Sequence, residues 1–415
     1  MKDGRPAVLV TDADRGSALA IIRSLGRRGW RVIAAGGPGD CLGFHSRYVA
    51  ERLTYPAPWH APAAMVTTLL DAARSLDVDL LIPVTDDVLL PLAAARAQVA
   101  GVCRVAMPDD AQLTAVADKW QTLTLARELG VPVPRSHLAE TVAEAHALAG
   151  EFNWPVVIKP QRSRLLDAAS GVDVLEVAYA ASPTDLVRVM SRFEGRCAVL
   201  LQEYCPGEGH GVELLAYEGH PLAAFQHRRL HEVPITGGAS SLRQSVALDP
   251  TLYEYSRRLV AALKWTGLIM VEFKVGPGGP QLMEINGRIW GSLPLAVFSG
   301  MDFPARLADL LLKGPPSPLP AAPDTGYRVG VKARNLEKDI VWLLAVLVGR
   351  RRYPFLAAPG RWEALTALPG LFDPRVRSDT FAWDDPRPAL AELPKIARNL
   401  FRKRSKISQH KGETS

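Results

Sequence analysis

Apolar and polar positions alternate along this chain in two rhythms that change at recognisable places. Ala7-Val8-Leu9-Val10-Thr11 is a continuous apolar run of strand length, followed by a helical spacing from about Ser17 to Arg28 and a second strand, Trp30 to Ala35. A helix from Ala63 to Ser75 then leads into Leu80-Leu81-Ile82-Pro83-Val84. Strands that keep alternating with helices predict a parallel sheet, with any ligand edge at the strand C-termini. The first turn, Asp12 to Ser17, lacks the glycines of a dinucleotide fingerprint, so no nicotinamide cofactor is expected.

Beyond residue 109 the rhythm changes. A mostly helical stretch from Asp109 to Leu129 stops at Gly130 and Val131-Pro132-Val133-Pro134, and a further helix is expected at about Val142 to Ala149. Trp154 to Pro160 reads as an apolar strand that ends on Lys159, and Ala198 to Tyr204 as another. Gly211 to Tyr217 and Pro221 to Gln226 form a predicted hairpin across Glu218-Gly219-His220, after which His227 to Arg243 reads as a polar, conformationally permissive loop. Met270 to Lys274 and Gln281 to Arg288 flank Gly276-Pro277-Gly278-Gly279-Pro280 as a second hairpin. Strand alternation puts Leu282, Glu284 and Asn286 on one face, and gives Glu272 and Lys274 a shared face on the partner strand. Such an oxygen-rich face suits a hard divalent cation, which is commonly held by one or two carboxylates together with substrate phosphates.

Composition narrows the class of protein. The chain has 415 residues, 48% of them hydrophobic, which excludes dominant disorder and implies more than one domain. Its net charge of +6 owes much to Arg398 to Lys406, so the body is near neutral. The basic tail is expected to be a solvated terminus, with no nucleic acid as partner. Cys41, Cys103, Cys197 and Cys205 show no C-x-x-C spacing, so reduced thiols are expected. The first residues carry no leader pattern, and the longest apolar run, Ile340 to Val348, is well short of a membrane span. The expectation is a cytoplasmic protein. That run, followed by Arg350-Arg351-Arg352, suits either a membrane interface or packing on the rest of the chain. Packing is favoured, because nearly every face of it is apolar. Nothing in the pattern specifies an oligomeric state.

The polar landmarks, in order, are Asp118-Lys119 opening a helix, Pro155-Val156-Val157-Ile158-Lys159-Pro160, Gln202-Glu203-Tyr204-Cys205-Pro206-Gly207, and Met283-Glu284-Ile285-Asn286-Gly287-Arg288. Together, over roughly residues 110 to 310, they resemble the ATP-grasp superfamily, and within it the carbamoyl-phosphate-synthase-like carboxylate-amine ligases. The resemblance implies an α/β and α+β architecture with three parts. Residues 1–110 would be a Rossmann-like N-terminal domain and 111–313 the ATP-grasp domain, with its lid at about 135–205. Residues 314–415 would be a linker and a mostly helical extension ending in the basic tail.

The resemblance also implies ATP with Mg²⁺, or Mn²⁺ in its place, and small-molecule carboxylate and amine substrates. It assigns Lys119 and Lys159 to the phosphates, Gln202, Glu203, Tyr204 and Cys205 to the adenine hinge, and Glu213 or Glu208 to the ribose. Glu272, Glu284 and Asn286 would hold the metal, and Arg288 would face the transferred phosphoryl group. From the residues alone, Arg228 and Arg243 suit a substrate carboxylate, and Gly237-Gly238 a close backbone approach to it. The expected reaction activates a carboxylate as an acyl phosphate and forms a carbon–nitrogen bond. The alternatives are a kinase- or carboxylase-type phosphoryl transfer and a non-catalytic nucleotide-binding regulator. Two features depart from the resemblance: Gln161 to Gly171, where a glycine-rich lid is expected, has a single glycine, with Arg162 and Arg164 as its cations, and residues 314–415 have no counterpart.

Overall fold

The computed structural model describes residues 4–162, 164–167, 171–174, 176–349 and 353–409, with 164–167, 171–174 and 401–409 described by backbone alone. The Arg164 side chain, Ser163, Ala168 to Ser170, the run Arg350 to Arg352 and the tail side chains beyond Leu400 lie outside that description.

The N-terminal region is a parallel sheet of β1 (Ala7–Val10), β2 (Arg31–Gly36), β3 (Val49–Thr54), β4 (Leu80–Ile82) and β5 (Arg104–Val105), in the order β3-β2-β1-β4-β5. Its central strands are apolar at every position because helices cover both faces. The helix Gly16–Arg27 sets Ala18, Ile21, Ile22 and Leu25 against Val8 and Val10. On the other face, the helix Pro62–Ser75 sets Met65, Leu69 and Ala73 against Leu9 and Leu81.

A four-stranded antiparallel sheet follows, ordered β10-β7-β11-β6, from β6 (Ser136–Ala139), β7 (Val156–Pro160), β10 (Ala178–Ala180) and β11 (Val199–Glu203). Between its members, β8 (Arg164–Asp167) and β9 (Gly171–Val174) make a separate two-stranded hairpin.

The largest sheet has seven strands: β12 (Glu208–Tyr217), β13 (His220–Val233), β14 (Ala239–Ser245), β15 (Gly267–Gly276), β16 (Gly279–Asn286), β17 (Lys332–Arg334) and β18 (Val376–Ser378). Their order is β16-β15-β12-β13-β14-β17-β18. Glu218 and Gly219 join β12 to β13 with φ of 48° and 83°, the left-handed pair that a two-residue hairpin with strand-matched twist requires.

One expectation changes here. The polar stretch from His227 is strand rather than loop: β13 runs to Val233, pairs with β14, and leaves only residues 234–238 as the turn. Alternation explains it, since His227 and Arg229 point to one face and Arg228 to the other, so a polar sequence still serves two environments. The residues after 314 are mostly helical, as expected, and add two short strands to the sheet. Among them β17 pairs antiparallel with β14, and β18 parallel with β17, so the extension widens the sheet.

The extension is fastened at both ends. In the helix Leu336–Val348, Trp342 stacks on His231 with ring centroids 3.6 Å apart and planes 5° from parallel. Asp339, from the same turn, meets His231 Nδ1 at 2.7 Å. The apolar run thus packs on β13, as its lack of a polar face implies, and among the described residues no helix is long and apolar enough to cross a membrane. Farther on, Asp385 accepts from Arg23 Nε at 2.9 Å, Ser46 Oγ at 2.7 Å and the Arg47 amide at 2.9 Å. Arg23 also donates to the carbonyls of Thr380 and Asp385, both at 2.7 Å. Breaking such a buried pair from one side leaves an uncompensated charge, which costs about 3–5 kcal/mol. Asp385→Ala is therefore expected to destabilise the protein by that amount in urea denaturation and to open the extension to limited proteolysis. A loss within about 0.5 kcal/mol, the range of an ordinary surface substitution, would contradict this clasp.

Candidate active site

The site begins with the β15–β16 hairpin. Glu272 and Glu284 lie directly opposite one another, and Met270 lies opposite Asn286. A bulge after Glu272 corrects the simple alternation, because Phe273 pairs with Leu282 and Met283 becomes the extra residue. Leu282 therefore joins Ile285 in the core beneath the sheet, while Met283, Glu284 and Asn286 line a cavity above it. Asn286 Nδ2 donates to Glu272 Oε1 and Glu284 Oε1, both at 3.0 Å, which puts a positive dipole end between two facing carboxylates.

Those carboxylates differ. Burial raises the Glu272 carboxyl above its ordinary range, opposed by Arg229 and reinforced by Glu284. Burial acts on Glu284 in the same sense, but Lys119 and Lys159 outweigh it and hold Glu284 below the ordinary range. Two like charges in one buried place divide in this way. Among the described residues no group of three or more His, Cys, Asp or Glu is arranged to hold a metal unaided. Two carboxylates and an amide that presents Oδ1 after a half-turn form an all-oxygen set, which fits Mg²⁺ sharing phosphates.

The cavity, about 390 Å³, extends from β7 and β11 across this hairpin to β13, β14 and the extension. Lys159, Gln202, Glu203, Tyr204, Cys205, Gly237, Gly238, Arg243, Glu272, Glu284, Asn286 and Arg288 all line it. Lys159 Nζ donates to Gln202 Oε1 at 2.6 Å, and Gln202, itself buried, donates on to Ser136 Oγ at 3.0 Å. Burial lowers the Lys159 ammonium to about 8, against the pull of Glu284. Lys119 stands where the expected long helix breaks. Asp118 leaves helical geometry and caps the helix Lys119–Glu128, accepting from the Trp120 amide at 3.0 Å. The adjoining pocket of about 180 Å³ joins Lys119 to Asp86, Arg162, Glu284, Asn286 and Arg288. Arg288 Nε donates to Asp86 Oδ2 at 2.8 Å, so the N-terminal region orients it. Burial would lower the Arg288 guanidinium, and Asp86 more than reverses that.

Three expected residues lie elsewhere. Glu213 is fully buried on the cavity-side face of the sheet, 2.6 Å from His227 Nδ1, and does not itself line the cavity. Burial raises its carboxyl well above the ordinary range and lowers His227 to about 3, so the site disfavours charge on both. Glu208 and Arg228 project from the opposite face, where they meet at 3.6 Å and Arg228 also donates to Gln244 Oε1 at 3.1 Å. Arg229 is the cavity-facing cation instead. It pairs across the strands with Arg243, contacts Glu272, and meets Glu232 Oε1 at 3.2 Å. A two-residue alternation counted from His227 finds Arg229; a loop reading misses it. Gly238 has a packing reason as well, since a Cβ there would meet the Val233 carbonyl at 2.5 Å.

The family description "ATP-grasp in the biosynthetic pathway with Ter operon" matches residues 196–334. The chain is also similar to the carbamoyl phosphate synthase large chain of Archaeoglobus fulgidus, at 24% identity over 59% of this chain and 21% of that one. It thus spans about a fifth of the length of that curated relative. Among solved structures it superposes on the biotin carboxylase of Campylobacter jejuni with a TM-score of 0.63 and 16% identity, over 79% of this chain and 74% of that one. The L-amino acid ligase of Bacillus licheniformis gives a TM-score of 0.57 and 15% identity, with 74% of each chain covered. The chain has the ATP-grasp fold, and residues 196–334 match an ATP-grasp family model. In this fold the cavity floor is the seven-stranded sheet, and part of its wall, Asn335 and Lys338, comes from the extension. No local pattern announces those two residues, because β17 must pair with β14 before they reach the site.

Lys159 offers a direct check on the buried charge. Its folded value lies below that of an unfolded lysine, so the unfolded chain holds the extra proton between about 8 and 10.5 and stability rises with pH over that window. Lys159→Met is expected to raise the unfolding free energy by about 1–3 kcal/mol at pH 7. The gain should shrink as pH approaches 10.5, as measured by denaturation in buffers spanning that range. A variant less stable than wild type at pH 7 would overturn it.

Proposed function

We propose that the chain is an ATP- and Mg²⁺-dependent ligase that activates a carboxylate as an acyl phosphate and joins it to an amine. The observation that carries this reading is one cavity in which Glu272, Glu284, Asn286, Lys159 and Arg288 line one end and Arg229 and Arg243 line its continuation. A phosphoryl-transfer set opening directly onto guanidinium groups suits a substrate carboxylate held beside a triphosphate.

In this reading Lys159 and Lys119 take the nucleotide phosphates, as point charges do. Gln202 to Cys205 meet the adenine, with Glu203 and Tyr204 contributing by position. Glu272, Glu284 and the Asn286 amide oxygen would hold Mg²⁺, with Mn²⁺ as the alternative ion; the metal supplies neutralisation of phosphate charge. Arg288, aimed by Asp86, lies against the transferred phosphoryl group. The substrate carboxylate oxygen attacks the terminal phosphorus and ADP leaves. The amine nitrogen then adds to the acyl carbon, loses a proton, and expels phosphate. Positioning and charge carry most of such a reaction, and no side-chain nucleophile is needed. A binding-only module has no use for the Asp86–Arg288 arrangement, which argues against a purely regulatory role.

Phosphate release measured with ATP, Mg²⁺ and panels of amino acids, dicarboxylic acids and amines tests the proposal. Glu284→Gln is expected to lower turnover roughly a hundredfold or more, as loss of a key electrostatic group does, with the thermal midpoint kept within a few degrees. Turnover at the wild-type rate in that variant under saturating Mg²⁺ would remove the metal assignment.

A further inference from the structure

The extension contributes more than a clasp. Lys338, two residues into the helix Leu336–Val348, lines the 390 Å³ cavity together with Asn335, and the Asn335 Oδ1 cap on the Lys338 amide, at 3.1 Å, fixes its backbone. Beside it, Arg243 is 1% exposed and bound through Nη2 to Asp379, another residue of the extension. Arg243 Nε is buried without a hydrogen-bond partner among the described residues.

The charge balance is uneven along the floor. At the hairpin end Arg229 and Lys274 are matched by Glu232 and Glu272. At the extension end Arg243 is paired with Asp379, and among the described residues the Lys338 ammonium makes no ion pair within 4 Å, with Asp379 and Glu337 acting on it only from farther away. Lys338 is half-buried, and an unpaired ammonium that is partly withdrawn from water gains from a ligand that supplies the counter-charge.

We propose that Lys338, Arg243 and Asn335 form a second anion subsite in the cavity, one that takes a carboxylate of the substrate pair other than the carboxylate being activated. This rests on the ligase reading above. Two sources share that chemistry: the second carboxylate of a dicarboxylic acid donor, or the carboxylate of an amino acid acceptor. Distance supports the division of labour. Glu272 on β15 and Arg243 on β14 are three strand steps apart in the sheet order β15-β12-β13-β14, roughly 14 Å at ~4.8 Å per step. Side chains reaching inward from both ends leave room for a small substrate between phosphate and subsite. Burial already lowers the Lys338 ammonium, with Arg15 and Arg243 acting in the same sense and Asp379 and Glu337 against, so an arriving anion would be bound by a cation that gains from it.

The full-length protein and its Lys338→Met and Lys338→Arg variants decide the matter in two ways. In thermal-shift titrations with MgATP present, glutarate, glutamate and glycine are compared with butyrate and methylamine, which lack the second carboxylate. Stabilisation of wild type by at least one of the first three, lost in Lys338→Met and restored in Lys338→Arg, is expected. In steady-state assays Lys338→Met should raise the KM of the carboxylate-bearing partner at least tenfold, leave the KM for ATP within twofold, and retain most of kcat. A donor-side effect, glutarate against butyrate, and an acceptor-side effect, glycine against methylamine, separate the two sources. If no acid and amine pair turns over, the ligase reading fails while the thermal shifts still report on the subsite. Absence of any wild-type shift, or equal shifts and KM values in wild type and Lys338→Met, would overturn the subsite.

Discussion

The constraint on which this architecture depends is the burial of many charges on one face of a seven-stranded sheet. Arg229 embodies it, because it is almost enclosed and its charge is balanced by Glu272 and Glu232. Burial works against its guanidinium, yet those two carboxylates hold the group above its ordinary value. Guanidinium–carboxylate pairs recur at Arg288 with Asp86 and at Arg243 with Asp379, and each partner comes from a different part of the chain. Packing of the N-terminal sheet, the central sheet and the extension is therefore bound up with the electrostatics of the cavity.

Much of this is legible in the sequence, for identifiable reasons. The continuous apolar runs of β1 and β4 and the helices between them report a sheet covered on both faces, so their pattern is unambiguous. Glu272, Glu284 and Asn286 are recoverable because they sit in strands whose other residues are apolar, and a carboxylate there needs an explanation. Lys159 stands out in the same way at the end of β7. What fails is local in cause: the bulge at Met283 shifts one face by a residue, and the polar composition of β13 hides a strand whose two sides serve a cavity and an outer surface. Arg229 rather than Arg228 faces the cavity, and of the two ribose candidates Glu213 is sealed against His227 while Glu208 lies on the opposite face beside Arg228.

The extension was illegible because its contribution is non-local. Neither the β17 pairing with β14 nor the approach of Lys338 to Arg243 has a signature within a dozen residues of sequence. Once paired, it converts an open sheet edge into a cavity wall and ties that wall to Arg23 in the first helix. Part of the cavity lining, Asn335 and Lys338, thus comes from residues just beyond the span that matches the ATP-grasp family model.

The central claim, that a carboxylate is activated by phosphoryl transfer in this cavity, is tested most directly by following oxygen. Amino and dicarboxylic acids labelled with ¹⁸O in their carboxylates are incubated with the protein, MgATP and a panel of amines, and the released phosphate is examined by mass spectrometry. An acyl phosphate intermediate transfers one labelled oxygen to each phosphate released in step with ligated product. Phosphate that carries no label while product accumulates would contradict the account.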